Sequence, residues 1–267
     1  MKKRELLLAV PGAVCVVAFG AYLLATRMNA DHTPPVITVP DSVIQTSVQA
    51  GYESLTHGVT AVDDRDGDVS DKIVVEDVSG IFEGNKTTVT YAAFDAAGNV
   101  SKAKRTLQYT DYASPRFGLS APLIFQANTG FNVFGSVRAS DMLDGDLSGH
   151  VKGTLVSEGQ SLDEAGTYQV EFRVTNSLGD TVHLTLPVEV DGRGQGPEDP
   201  KLTAYLVYRK VNTPFDPMVY VAEGSKERPL TVSGNVNMAQ PGTYTVNYVD
   251  QRGASFGRTR LLVVVEE

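Results

Sequence analysis

Residues 61–70 read Ala-Val-Asp-Asp-Arg-Asp-Gly-Asp-Val-Ser, and residues 139–148 read Ala-Ser-Asp-Met-Leu-Asp-Gly-Asp-Leu-Ser. The two stretches agree at the alanine, the first aspartate, the Asp-Gly-Asp triplet and the final serine. A second landmark follows each of them, because residues 89–99 parallel residues 170–180 at nearly the same distance. Repetition with a period of about 80 residues indicates an array of small domains rather than one large core.

A third and more diverged copy is visible near the end of the chain. It contains Leu-Thr-Val-Ser-Gly at 230–234 and Pro-Gly-Thr-Tyr-Thr-Val-Asn-Tyr at 241–248, and it lacks the Asp-Gly-Asp triplet. The chain is therefore predicted to have five segments: 1–30, a basic tip with an anchor helix; 31–111, 112–191 and 200–267, three β domains of which the last is degenerate; and 192–199, a Gly/Pro linker.

The late strand of each copy has the alternation of a half-buried β-strand. In the second copy Val170, Phe172 and Val174 are expected to face a core, while the residues between them face water. Short strands rich in Val, Thr and Tyr, separated by Gly, Asn, Asp and Pro, are typical of antiparallel sandwiches. We therefore expect an all-β fold of tandem sandwiches behind one N-terminal helix. The glycines at 192, 194 and 196 predict a looser connection at the second junction than at the first.

The N-terminus predicts a membrane anchor. Leu6–Ala25 carries no charge and has about the length of a membrane-spanning helix. Three basic residues precede it, which places the N-terminus in the cytoplasm and the rest of the chain outside. Secretion after signal cleavage is the alternative, although the residues before Ala25 and Ala30 are bulky for a signal peptidase. The lone cysteine, Cys15, lies within this segment, so the exported part has no thiol for a disulfide.

The net charge of −9 argues against nucleic acid as a partner. Pro-Pro-Val-Ile-Thr-Val at 34–39, Gly-Val-Thr-Ala at 58–61 before the Asp-Gly-Asp triplet, and Asp-Ala-Ala-Gly-Asn at 95–99 resemble the bacterial immunoglobulin-like repeats of surface proteins, chiefly those of Gram-positive bacteria. The resemblance is strongest over 31–111. It implies a small sandwich used as a spacer, an adhesive or a ligand-presenting module, and it specifies no ligand.

The acidic loops suggest a metal site. If the fold is a sandwich, the loops that hold the two landmarks gather at one end of each domain, and Asp111 enters near that end of the second domain. Hard oxygen ligands from several loops suit calcium. The candidate ligands are Asp63, Asp66, Asp68, Asp95, Asn99, Asp111, Asp141, Asp144, Asp146, Asn176 and Asp180. Turn chemistry is the plainer interpretation of the same residues, because Asp and Asn bond their own backbone and Gly67, Gly98, Gly145 and Gly179 supply positive φ angles.

Catalysis has little support in the sequence, and we expect a protein that is not an enzyme. The four histidines are scattered, and we find no nucleophile elbow and no phosphate loop. The leading hypothesis is an anchored extracytoplasmic repeat protein that acts as a surface spacer or as an adhesion and protein-interaction module. One form of this hypothesis adds that bound calcium stiffens the repeats. The alternatives are a module that binds cell-wall glycan or peptide, and an accessory subunit of an envelope complex. Oligomeric state stays open.

Overall fold

A computed structural model describes residues 15–22, 30–40, 43–82, 85–156, 161–250 and 257–267 of the chain. Of the predicted anchor, Leu6–Ala25, only 15–22 lie in this part, and they form a helix, α1. Among the described residues, no helix combines the length and the apolar composition needed to cross a membrane. The remainder is β-rich, which confirms the predicted all-β class.

The first repeat folds into two sheets that face one core. Its strands are β1 (Val36–Thr38), β2 (Ile44–Thr46), β3 (Thr60–Asp63), β4 (Gly67–Asp68), β5 (Val74–Phe82), β6 (Lys86–Phe94) and β7 (Val100–Tyr109). One sheet has the order β1-β3-β4 and the other β2-β7-β6-β5. Between them lie Ala61, Val69 and Ala93, all buried. The buried hydroxyl of Tyr91 donates to the carbonyl of Leu55 at 2.7 Å and is thereby satisfied.

The second repeat has the same topology. Its strands are β8 (Arg116–Leu119), β9 (Ile124–Gln126), β10 (Val137–Asp141), β11 (Gly145–Asp146), β12 (Lys152–Leu155), β13 (Gly166–Thr175) and β14 (Thr181–Asp191). They form the sheets β8-β10-β11 and β12-β13-β14-β9. Along β13 the side chains of Tyr168, Val170, Phe172 and Val174 are buried and their neighbours exposed, so the predicted alternation is confirmed.

The third repeat keeps only the four-stranded sheet. Its strands are β15 (Leu206–Lys210), β16 (Leu230–Ser233), β17 (Gly242–Asp250) and β18 (Gly257–Glu266), in the order β15-β18-β17-β16. Within the described part of this repeat, no second sheet accompanies it. A 3-10 turn (Pro217–Tyr220), a short helix α2 (Glu223–Lys226) and the segment around them cover one face instead.

Both faces of this sheet are buried. Leu261, Val263 and Val265 point toward the covering segment. Leu206 and Leu262, on the opposite face, belong to the same apolar cluster as the core of the second repeat, with Tyr208 and Val264 packed against it. A strand buried on both faces reads as a continuous apolar run, and Leu-Leu-Val-Val-Val at 261–265 is such a run.

Polar contacts reinforce the junction between the second and third repeats. Glu189 on β14 pairs with Arg258 at 2.5 Å and also with Arg260, and Asp191 pairs with Arg258. Within the linker, Arg193 pairs with the buried carboxylate of Asp199. The expectation of a loose connection at 192–199 is therefore wrong.

One linker glycine is explained by close packing. Gly194 has a φ of +68°, and a Cβ there would lie 2.7 Å from the backbone nitrogen of Gln126. The residue thus allows the linker to approach the edge strand β9, which a larger residue would prevent.

The chain divides into two units. The first contains Met1–Thr46, Ala50–Ser79 and Lys86–Gln108, and the second contains Ser47–Gln49, Gly80–Asn85 and Tyr109–Glu267. The second and third repeats thus share one unit.

Candidate metal centre

The loop after β3 is shaped by its aspartates. Asp63 ends the strand, and its Oδ1 accepts hydrogen bonds from the backbone N–H groups of Arg65 and Asp66, both at 2.9 Å. Gly67 follows with a φ of +73°, as predicted. This is the self-bonding that makes Asp a turn residue.

Asp68 also has a structural role. Its Oδ1 accepts from the backbone and the hydroxyl of Ser70, and the Ser70 hydroxyl in turn receives the N–H of Ala61. The Ser70 hydrogen bonds lower the pKa of Asp68 from its ordinary value. These contacts tie the loop back to β3 and occupy Oδ1 of Asp68.

Asp66 connects this loop to the next one. Its Oδ2 accepts a hydrogen bond from the backbone N–H of Ala96, in the turn between β6 and β7. That turn is closed by Asp95, whose Oδ1 accepts from the N–H of Asn99 at 2.7 Å. Gly98 supplies the positive φ of the turn, +87°. Asp66 therefore fixes the distance between the two acidic loops.

Three carboxylates converge where these loops meet the N-terminal segment. One oxygen from each of Asp31, Asp63 and Asp95 lies within 4.8 Å of the other two, and we call this set the three-carboxylate cluster. The side chain of Asp31 is 10% exposed, and Asp63 and Asp95 are 3% and 6% exposed. Each is thus nine-tenths or more buried, although an acidic side chain is ordinarily solvated.

The second oxygen of Asp63 is unusual. Among the described residues, Oδ2 of Asp63 is buried and has no hydrogen-bond partner. Burial without a partner is costly for a carboxylate oxygen.

The other two members of the cluster, Asp95 and Asp31, accept hydrogen bonds from neighbouring groups. Oδ2 of Asp95 accepts the amide of Asn99 at 2.6 Å, and Oδ1 of Asp31 accepts the N–H of Thr33 at 3.0 Å. Arg65 lies 3.9 Å from Asp31. Burial raises the pKa of Asp95, but hydrogen bonds from Asn99 and the neighbouring backbone outweigh burial and leave that pKa lowered, so the carboxyl is held ionised.

The second repeat builds the same loops with different chemistry. Oδ1 of Asp141 accepts from Leu143 and Asp144, as Asp63 does from its own loop. Asp144 binds the N–H and the hydroxyl of Ser177, as Asp66 binds Ala96. Asp146 accepts from Ser148 as Asp68 accepts from Ser70, and the Ser148 hydrogen bonds lower the pKa of Asp146.

The difference lies at the centre of these loops. Asn176 stands where the first repeat has Asp95, and its amide donates to Oδ2 of Asp141 at 3.0 Å. The same amide donates to the hydroxyl of Tyr112 at 2.8 Å, and that hydroxyl donates to Asp180 at 2.5 Å. Burial, and then the bond to Asp180, raise the pKa of Tyr112. Oδ2 of Asp141, the hydroxyl of Tyr112 and Oδ2 of Asp180 therefore each have a protein partner.

Strand register relates the segments that enter the two sites. Val36 pairs with Val62, the residue before Asp63, and Arg116 pairs with Ser140, the residue before Asp141. Counting back from these pairs, Asp31 corresponds to Asp111 and His32 to Tyr112.

The entering side chain nevertheless differs between the repeats. Asp111 accepts from the hydroxyl of Ser47 and the N–H of Val48, while Tyr112 reaches the second site. The hydrogen bonds from Ser47 and Val48 lower the pKa of Asp111.

The predicted ligands are thus only partly brought together. Asp63, Asp95 and Asn99 meet at the first site, and Asp141, Asn176 and Asp180 meet at the second. Asp66, Asp68, Asp144 and Asp146 are engaged in holding the loops, and Asp111 is engaged with residues 47 and 48. Sequence reasoning missed Asp31 and Tyr112. Aligning the segments before β1 and β8 would have identified Asp31 as the counterpart of Asp111.

Residues 30–109 match the family described as "HYR domain", an immunoglobulin-like domain of the cell-adhesion type. The match covers all seven described strands of the first repeat and includes the three-carboxylate cluster. No curated protein matches the chain in sequence at a significant level.

The chain is also similar to solved structures of other multidomain proteins, with low TM-scores. One holds CBM51-2 in complex with GlcNAc and INT domains from Clostridium perfringens ZmpB, with 20% identity over 60% of this chain and 42% of that one, at a TM-score of 0.23. Another is mouse Cadherin-23 EC22-24, with 14% identity over 87% of this chain and 99% of that one, at a TM-score of 0.20. Drosophila N-cadherin EC1-4 has 13% identity over 88% of this chain and 76% of that one, at a TM-score of 0.22. This chain spans less than half of the Clostridium chain.

Proposed function

We propose that this chain is an extracytoplasmic adhesion or protein-interaction module that acts by binding rather than by catalysis. The observation that carries the proposal is the match of residues 30–109 to an immunoglobulin-like domain of the cell-adhesion type. The second repeat has the topology of the first, so the chain carries at least two copies of a module suited to this use.

The joined second and third repeats support a spacer role. A continuous apolar core and several ion pairs hold the third sheet against the second repeat, so we expect these two repeats to move together as one rigid block. A rigid block holds a binding surface at a fixed distance from its point of attachment. Attachment through Leu6–Ala25, with the N-terminus in the cytoplasm and all repeats outside the cell membrane, is part of the proposal.

Location and topology are tested with the full chain carrying a C-terminal epitope. The proposal predicts that the chain stays in the membrane fraction after a carbonate wash and that protease added to intact spheroplasts removes the epitope. A soluble chain, or an epitope protected until the cells are lysed, would contradict it. A cytoplasmic protein tagged with the same epitope is the control for lysis.

Binding is tested with beads that carry the full chain in lipid nanodiscs. They are mixed with beads carrying the same chain, with isolated cell-wall polysaccharide, and with purified surface proteins of the source cell. Saturable aggregation with a protein partner or with the same chain supports adhesion. Saturable capture of polysaccharide alone would replace the proposal with a glycan-binding function, and no saturable binding in any arm would reject the adhesion function.

A further inference from the structure

The two repeats provide a comparison within one chain. Both build the same acidic loops, and in both the aspartate that ends the third strand uses Oδ1 to close its own turn. They differ in what meets the second oxygen of that aspartate. In the second repeat an amide hydrogen of Asn176 meets it. In the first repeat the corresponding residue is Asp95, whose carboxylate lies within 4.8 Å of a carboxylate oxygen of Asp63.

An amide and a carboxylate have opposite requirements. The amide of Asn176 donates hydrogen bonds to Asp141 and to Tyr112. These oxygens are therefore paired without any added charge. The carboxylate of Asp95 offers only acceptor oxygens, and both of them face the backbone N–H and the amide of Asn99. In the first site, carboxylate oxygens that can only accept hydrogen bonds therefore lie close to one another. A protein tolerates this arrangement when a cation lies between the oxygens.

The charge balance leads to the same conclusion. The three-carboxylate cluster carries three negative charges when ionised, and Nε of Arg65 lies 3.9 Å from Oδ2 of Asp31. The buried Oδ2 of Asp63 has no partner among the described residues.

The spacing also fits a metal. Oxygens within 4.8 Å of one another can ligate one ion at the 2.3–2.6 Å distances typical of calcium.

We propose that Asp31, Asp63 and Asp95 bind one divalent cation, with calcium as the preferred ion, and that the second repeat has replaced this ion with the amide of Asn176 and the hydroxyl of Tyr112. Calcium accepts six to eight oxygen ligands in flexible geometry, so three carboxylates from three segments can be completed by water or backbone carbonyls. Magnesium requires a near-ideal octahedron and is less suited to such a set. The ion fastens the segment before β1 to the two acidic loops. The site does not depend on which partner the protein binds.

The test uses Asp95→Asn, which gives the first repeat the residue that the second repeat already uses. Calcium binding to the full chain in detergent is measured by equilibrium dialysis and calorimetry. We expect one calcium per wild-type chain and none in the variant. Asp180→Asn is the matched control, because Asp180 corresponds to Asn99 and the substitution gives the second repeat the residue of the first. This variant should keep the single ion.

Stability supplies an independent readout. In chelator, Asp95→Asn should raise the unfolding temperature of the first repeat. It removes one of three clustered carboxylates and offers an amide to Oδ2 of Asp63, and this gain should outweigh the lost bond from Asn99, whose amide also reaches the carbonyls of Asp31 and Thr33. At a calcium concentration 100-fold above Kd the unfolding temperature of the wild type should rise by about 10–20 °C while that of the variant does not change, so the order of the two proteins reverses. If Asp95→Asn fails to fold, Asp31→Asn at the edge of the site replaces it in both measurements.

Four results would overturn the proposal. Absence of calcium binding at millimolar concentration would remove the ion, and retention of one ion by a folded Asp95→Asn chain would place it elsewhere. Binding of two ions per wild-type chain would show that Asn176 and Tyr112 do not replace it. Binding of magnesium but not calcium would reject the assignment of the metal.

Discussion

Single side chains decide whether the carboxylates of an acidic loop are paired by protein donors or need a bound ligand. The Asp-Gly-Asp triplet is common to both repeats, and its aspartates act as turn and latch residues in both. The chemistry changes at two other positions, where Asp95 is replaced by Asn176 and Tyr112 enters the second site. A sequence motif that repeats perfectly can therefore mark a shared scaffold, while the functional difference lies at less regular positions.

Tyr112→Phe tests the network of the second site. The hydroxyl of Tyr112 bridges Asp180 and Asn176, and the residue is only 7% exposed. Its removal leaves the buried amide of Asn176 and the partly buried carboxylate of Asp180 each short of one partner, which is expected to cost about 1–3 kcal/mol of unfolding free energy. Urea denaturation measures the loss. Tyr52→Phe, at a residue that is 68% exposed, is the control and should change little, and equal stability of the two variants would contradict the role of the hydroxyl.

At the scale of elements, the third sheet differs from its relatives because both of its faces are covered. The sequence predicts the late strands well, since the alternation of Val170, Phe172 and Val174 is local information. It predicts the junction poorly, because the glycines of 192–199 have the composition of a flexible linker. The continuous apolar run at 261–265 was the available signal that β18 is buried on both faces.

The candidate site shows the same limit. Composition and the Asp-Gly-Asp triplet identified the loops, and the turn roles of their aspartates follow from local sequence. Asp31 was missed because its approach to Asp63 depends on the pairing of β1 with β3, a contact between residues distant in sequence. Likewise, which of Asp111 and Tyr112 enters the second site is decided by Ser47 and Val48, which bind Asp111.

Gly194→Ala tests whether the linker is packed or flexible. The positive φ and the 2.7 Å distance from a Cβ to the nitrogen of Gln126 predict a loss of about 2 kcal/mol. Gly192→Ala is the matched control, since a Cβ there meets no atom within 4 Å. Chemical denaturation of both variants measures the difference. A flexible linker would tolerate both substitutions equally, which would contradict the packed junction.

Acid should weaken the same junction. Burial raises the pKa of Asp191, but backbone hydrogen bonds from Gly194 and Arg193 and the charge of Arg258 outweigh burial, so the pKa is lowered in the folded state. A lowered pKa means that Asp191 stabilises the fold above the unfolded-state value of about 4 and loses this effect as the pH falls through the folded value. Denaturation at pH 7, 5 and 3 should show a shallower dependence for Asp191→Asn than for the wild type. Parallel curves would contradict it.

At the scale of the whole molecule, three sequence repeats give two structural units. The second and third repeats share an apolar cluster that includes Leu206, Leu262 and Phe172, so neither surface is available to water. Such a shared core couples the unfolding of both repeats. The ion pairs of Glu189 add geometric specificity, while the apolar contacts contribute most of the stability, since buried pairs must first overcome desolvation.

The most direct measurement is scanning calorimetry of the full chain, once in calcium and once in chelator. The account predicts two transitions, one for each unit, of which only the transition of the first unit shifts with calcium. The second and third repeats should unfold together and at the same temperature in both conditions. Three separate transitions would contradict the shared core, and a calcium shift in the transition of the second unit, or in neither, would contradict the assignment of the ion to Asp31, Asp63 and Asp95.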